Sequence, residues 1–249
     1  MHQPRLIARL DIKGDRLIKG IQFEGLRVIG DPWEYALKYG AEADELLYID
    51  TVATLYGRNQ LESLIEKVSE KVFIPITVGG GIRSVDGAGQ LFRCGADKVA
   101  INSAAIGQPR LITQCAERFG SQAICVSIEA KRGAHGWEAY TDNGRERSGR
   151  DAVEWATEAV QRGAGELLVT SIDRDGTCRG FDTALIAAIA PHVSVPVIAS
   201  GGMGSVEHLL DVLSMGRAGA VAMASCLHSG RVSFGAMREA IEPAAVVAC

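Results

Sequence analysis

A ten-residue segment of this chain recurs in similar form. Phe73-Ile74-Pro75-Ile76-Thr77-Val78-Gly79-Gly80-Gly81-Ile82 reads against Ser194-Val195-Pro196-Val197-Ile198-Ala199-Ser200-Gly201-Gly202-Met203, 121 residues further on. Glu45-Leu46-Leu47 reads against Glu166-Leu167-Leu168 at the same offset. Asp11, ending the first apolar run, is answered by Glu129, ending the fifth. Two matches at one offset, with a third pair of strand ends close to it, mark an internal duplication, so the chain is read as two similar halves.

Each half alternates short β-rich runs with helical patterns. The predicted strands are 5–11, 45–50, 74–79, 98–101, 123–129, 166–171, 195–200 and 219–224. The predicted helices are 31–41, 60–70, 84–94, 109–119, 151–162, 183–190, 206–215 and 233–241. Asp31-Pro32 sets an N-cap before a proline at the first helical position, and Ser205 caps another helix. Eight β-then-α units in 249 residues predict a single (βα)8 barrel over residues 1–249, with half-barrels of about 1–120 and 121–249. An open doubly wound sheet is the alternative. It would usually carry a GxGxxG turn after the first strand, and none is present.

Composition narrows the function. Apolar residues make up 47%, enough for a full core and too many for a disordered chain. A net charge of −4 leaves no basic excess for binding nucleic acid or an anionic membrane. The most apolar stretch, 184–199, is broken by Pro191, His192 and Pro196, so no membrane span is expected. The first residues lack the apolar core of a signal peptide. The six cysteines include no CxxC pair, and His2, His135, His192, His208 and His228 have no ligand spacing. The expectation is a reduced, cytoplasmic chain with no metal and no nucleotide cofactor.

Chemistry in such barrels sits at the C-terminal ends of the strands. Asp11, Asp50, Thr77, Asn102, Glu129, Ser171, Asp173 and Ser200 fall there. Asp11 and Glu129 are placed by the repeat on opposite walls of the mouth, an arrangement suited to general acid–base work. The alternative is that each caps a βα loop. Gly79-Gly80-Gly81 and Gly201-Gly202 follow the third and seventh strands. Asn102-Ser103 and Ala224-Ser225 follow the fourth and eighth. Glycine-rich turns let backbone N–H groups converge on an anion, and two such places point to a substrate with a phosphate at each end.

Nearly the whole chain resembles the cyclase subunits of imidazole glycerol phosphate synthase, of histidine biosynthesis. The resemblance rests on Leu10-Asp11-Ile12-Lys13, Lys19-Gly20, Gly30-Asp31-Pro32, Thr77 to Ile82, Gly95-Ala96-Asp97-Lys98-Val99, Ile101-Asn102, Phe119-Gly120-Ser121-Gln122, Gly163-Ala164-Gly165-Glu166 and Thr170-Ser171-Ile172-Asp173-Arg174-Asp175-Gly176-Thr177. The related phosphoribosyl-formimino isomerase shares the half-barrel repeat but lacks the Ser-Ile-Asp-Arg-Asp-Gly-Thr run. The resemblance implies a glutaminase partner in a heterodimer, ammonia passing up the barrel, and a bis-phosphorylated ribulosyl-formimino-aminoimidazole-carboxamide substrate. It makes Asp11 and the residue at 129 the acid/base pair. Gly81, Asn102 and Ser103 would hold one phosphate, and Gly176, Gly202, Ala224 and Ser225 the other. Lys19 would help close the site, and Asp50, Thr77, Ser171, Asp175 and Ser200 would line it. Arg5, Glu45, Lys98 and Glu166, at the strand starts, match the family's ring around the tunnel entrance, with Asp97 facing the glutaminase. The same four charges are also readable as a salt-bridged plug.

The chain departs from that pattern in three places. Position 129 is Glu where the synthase has Asp, which moves the carboxylate by roughly 1.5 Å. Arg9 stands where the family usually has a small Cys. Strand alternation turns it inward with Arg5, Ile7 and Asp11, where a guanidinium needs Glu129 or Asp11 as a partner. The segments 21–27 and 52–59 also differ. These changes resemble cyclase paralogues of bacterial surface-glycan clusters, where ammonia helps to build an amidino sugar. A barrel that only docks and activates a glutaminase, and a sugar-phosphate isomerase, are the other readings.

Overall fold

The computed structural model describes residues 3–53 and 61–246. Its first strand, β1 (Arg5–Lys13), shows how the sequence places two cores. Leu6, Ala8, Leu10 and Ile12 point outward into the layer shared with the helices. Ile7 points inward and packs in the lumen with Leu47, Ala100, Cys125, Leu168, Ile198, Ala220 and Ala222. Successive side chains of a strand face opposite sides, so one apolar strand feeds both layers.

The parallel strands of the barrel are β1, β4 (Glu45–Asp50), β5 (Ile76–Gly79), β6 (Lys98–Ile101), β7 (Ile124–Gly133), β10 (Glu166–Ser171), β11 (Val197–Ser200) and β12 (Ala220–Met223). They pair in that order, and β12 closes on β1 through the register Arg5↔Ala220 to Ala8↔Met223. The predicted (βα)8 barrel is therefore observed. Two predicted strands begin late, at Ile76 and Val197, because Pro75 and Pro196 lack an N–H for the ladder. Their carbonyls still accept, from Leu46 at 2.9 Å and Leu167 at 3.1 Å.

The sequence reading missed one feature in each half. β1 continues into an antiparallel hairpin of β2 (Arg16–Ile21) and β3 (Glu24–Gly30). β7 runs on to Gly133, beyond its predicted end at Glu129, and continues into β8 (Gly136–Thr141) and β9 (Glu146–Asp151). Each hairpin hands over to a helix capped by an aspartate. Asp31 accepts from Trp33 N–H at 2.8 Å ahead of the helix Pro32–Gly40, and Asp151 accepts from Val153 N–H at 2.8 Å ahead of Ala152–Gln161. Two short helices, Ser103–Gly107 and Ser225–His228, follow β6 and β12 and were also not foreseen. Of the divergent segment 52–59, residues 54–59 lie outside the described residues.

Candidate active site

Asp11 and Glu129 occupy equivalent places, each at the root of its half's hairpin. Asp11 pairs with Ile18 across the first and Glu129 with Tyr140 across the second. Both are buried, at 4% and 6% exposure, yet their surroundings are opposite in kind. Asp11 is saturated with cations. Arg9 Nε donates to its Oδ1 at 2.7 Å and Lys19 Nζ to its Oδ2 at 2.9 Å. Lys19 also donates to both oxygens of Asp175 at 3.1 Å. Burial alone would raise the Asp11 carboxyl, but the charges of Arg9 and Lys19 outweigh it and hold the group well below the usual carboxylate range.

Among the described residues Glu129 has no such partner, and its Oε2 is buried without a hydrogen bond. Burial pushes its carboxyl up to about 7, against the opposing pull of the Arg9 charge and the Gly144 N–H. One wall of the mouth thus carries a fixed anion, and the other a carboxyl that changes charge near neutral pH. Two groups whose environments drive their pKa values apart form the arrangement acid–base chemistry uses.

Glycine-lined clefts flank this pair. One brings Lys19, Asp175 and Gly176 beside Gly201, Gly202 and Ser225. The other brings Asp50, Gly80, Asn102 and Ser103 beside Glu129 and Asn143. Gly202 takes φ +103°, and a Cβ there would lie 2.2 Å from the Gly180 carbonyl oxygen. Gly81, at φ +69°, would meet Ala53 at 2.7 Å. Both positions demand glycine, for backbone angle and for closeness. The first hairpin folds over the mouth. Gln22 N–H donates to Asp175 O at 2.9 Å, and Gln22 Nε2 donates to Asp173 O at 3.0 Å.

The opposite end of the barrel carries a closed ring. Arg5 pairs with Glu45 at 2.6 Å and also with Glu166, and Lys98 reaches the same two carboxylates at 2.9 and 3.0 Å. Burial would lower Lys98, and the Glu45 and Glu166 charges reverse that, so the ring holds its cations charged. Asp97 lies exposed at its rim, with Oδ2 accepting from Ile76 N–H at 2.8 Å.

A family model described as "Histidine biosynthesis protein" matches residues 5–233. This chain belongs to that family. Among the curated relatives, imidazole glycerol phosphate synthase subunit HisF of Legionella pneumophila is 62% identical over 209 residues, covering 83% of this chain and 99% of the relative. The subunit of the same name from Myxococcus xanthus is 52% identical over 235 residues, covering 94% and 93%. That of Streptococcus sanguinis is 45% identical, covering 98% of each. Within the histidine biosynthesis family the chain is of the cyclase kind, a biosynthetic lyase.

For this family member the structure gathers most of the sequence-predicted residues at the mouth and moves some. Thr77 does not face the mouth. It is the second residue of a short strand whose mouth end is Gly79, and its hydroxyl donates to Glu45 Oε1 of the lower ring at 2.5 Å. Arg9 does not pair with Glu129. Its charge acts on that carboxyl only at a distance, and its Nε is taken by Asp11. Asp50 Oδ1 accepts from Val52 and Ala53 N–H at 3.0 and 2.9 Å, which ties it to its own loop. Ser171 Oγ stands 3.5 Å from Asp182 Oδ2, and Ser200 accepts from Arg9 at 3.1 Å. Ser103 Oγ accepts from Asp142 N–H of the second hairpin at 3.0 Å. Sequence reasoning missed Phe23, Gly144 and Thr170. Asp142-Asn143-Gly144, with φ of 52°, 57° and 75°, was the available signal for that hairpin turn.

Proposed function

We propose that this barrel catalyses the ammonia-dependent cyclase reaction of imidazole glycerol phosphate synthase. It converts a bis-phosphorylated ribulosyl-formimino-aminoimidazole-carboxamide to imidazole glycerol phosphate and aminoimidazole carboxamide ribotide. The observation that carries this reading is the pair of opposed carboxylates with divided electrostatics, set between two glycine-lined clefts. Glu129 is the group able to give and take a proton near neutral pH. Asp11 is the fixed anion facing it, held ionised and in place by Arg9 and Lys19. Gly81, Asn102 and Ser103 hold one phosphate, and Gly176, Gly202, Ala224 and Ser225 the other. Asp50, Ser171, Asp175 and Ser200 complete the walls, and Lys19 holds the first hairpin down.

Ammonia comes from a glutaminase docked under the ring of Arg5, Glu45, Lys98 and Glu166, with Asp97 at the contact. The two ends of one barrel then divide the work between ammonia entry and ring closure. The test is to incubate the purified chain with the bis-phosphorylated intermediate and excess ammonium salt, without a glutaminase, and to measure imidazole glycerol phosphate. Turnover at an ordinary enzymatic rate is the expected result. A folded protein that binds the substrate and leaves it unchanged would overturn the cyclase reading and direct attention to the amidino-sugar chemistry of the glycan-cluster paralogues.

A further inference from the structure

Arg9 is the unusual group in the lumen. It is 3% exposed and stands on β1, between Ile7 and Asp11 on the inward face. Its Nε holds Asp11. Its other end donates from one terminal nitrogen to Thr170 Oγ1 and to Ser200 Oγ, both at 3.1 Å. Thr170 belongs to β10 and Ser200 to β11, and β10 lies three strands from β1 around the barrel by way of β12 and β11. The guanidinium therefore reaches across the lumen rather than along its wall. The Phe23 ring, from the folded-over hairpin, lies 5.9 Å from it. Below it, among the described residues, stand the apolar lumen residues around Ile7, Leu168 and Ala222, and below those the ring.

We propose that Arg9 is a crossbar closing the lumen beneath the mouth, and that ammonia rising from the ring must displace it from Thr170 and Ser200. This rests on the delivery route given above. Three features of the crossbar follow from its chemistry. It is a fixed cation over an apolar passage, so it repels ammonium and admits only neutral ammonia. Its anchors on the far wall are neutral hydroxyls, so they release more readily than a buried ion pair. Its near end stays tied to the Asp11 carboxylate, so the swing is a pivot about that bond. Ammonia supplied from solution enters by the mouth and does not meet the crossbar.

That difference gives the test. In the complex with its glutaminase, product formation is measured twice, once with glutamine and once with saturating ammonium salt, and the ratio of the two rates is taken. Loss of a partner for Asp11 affects both routes equally and cancels in the ratio. Arg9→Cys removes the crossbar, and its ratio is expected to rise by roughly fivefold, the effect of losing two weak anchors spread over one barrier. Thr170→Val keeps the Arg9–Asp11 pair and nearly the same shape, and its ratio is expected to rise by about twofold. A ratio that stays at the wild-type value or falls in both variants overturns the crossbar. Failure of the delivery route would appear as ammonium-driven turnover with none from glutamine in the wild type and in both variants. Glutamine-driven turnover emerging only in Arg9→Cys would support the crossbar in its strongest form. Its absence from wild type and variants alike would overturn both.

Discussion

The two halves of the barrel end in the same way and are charged in opposite ways. Each sends a strand past the rim, folds back a hairpin, and leaves one carboxylate at the hairpin's root. In the first half that carboxylate, Asp11, has a cation on each oxygen. In the second half Glu129 buries one oxygen with no hydrogen-bond partner among the described residues. The backbone duplication therefore fixes where the two acids stand, while the residues around them decide what each acid does. Arg9 and Lys19 make one a permanent anion, and their absence on the other side leaves the second poised near pH 7.

The sharpest way to break this comparison is to remove each charge in turn. Asp11→Asn and Glu129→Gln are both expected to lower kcat for the ammonium-driven reaction by about 1000-fold, within the range for a lost acid–base partner. Steady-state kinetics at pH 7 checks this. A variant that keeps its rate would remove that residue from the chemistry and leave it as a loop cap. Glu129→Asp sharpens the comparison. The β7–β8 register holds the backbone at 129, so the shorter side chain withdraws its carboxyl by roughly 1.5 Å and kcat is expected to fall by about 100-fold. An unchanged rate would mean that the length of this side chain carries no function.

Stability should separate the same two residues by sign. Asp11→Asn leaves Arg9 and Lys19 buried beside a lost anion and is expected to destabilise the fold by about 3 kcal/mol at pH 8. Glu129 works the other way. Its pKa rises from 4.5 in the unfolded chain to about 7 in the folded one. Below 4.5 the group is neutral in both states. As pH climbs towards 7 the folded state resists ionisation while the unfolded state does not, and the protein loses ~3 kcal/mol of stability. Glu129→Gln removes that loss. Urea denaturation is expected to show the variant more stable than wild type at pH 8, with the advantage gone by pH 4.5. Equal curves at both values would mean that Glu129 is not desolvated.

The split between the halves also explains what could be read from the chain. The barrel and both carboxylates were legible because they repeat, and repetition survives in sequence as register. Arg9 was legible as an inward-facing cation, because alternation along β1 leaves it no other side. Its partners on the far wall were not. Thr170 and Ser200 come from strands 161 and 191 residues away, and only closure of the barrel brings their hydroxyls within 3.1 Å. Thr77 was misread for a related reason. It lies two residues before Gly79, the mouth end of β5, and turns its hydroxyl down to Glu45, a partner that only barrel closure brings near. The hairpins escaped because Lys13 and Gly133 continue strands whose apolar signal has already ended at the rim.

Those hairpins give the finest comparison. The second is tied down by its own half and its neighbour, with Arg132 N–H donating to Asp173 Oδ2 at 2.9 Å and Asp142 N–H to Ser103 Oγ at 3.0 Å. The first is held over the mouth by Lys19 and by Gln22, whose side chain donates to the carbonyl of the same Asp173 at 3.0 Å. Asp173 thus touches both hairpins, through its side chain on one side and its backbone on the other. Gln22→Ala removes one exposed hydrogen bond from the first hairpin and leaves Lys19 and the Gln22 N–H in place. It is expected to raise KM for the bis-phosphorylated substrate by about threefold with kcat unchanged, since an exposed bond of this kind contributes well under 1.5 kcal/mol. A fall in kcat instead would mean that the hairpin's closure enters the chemical step. The two hairpins would then differ in role as well as in fastening.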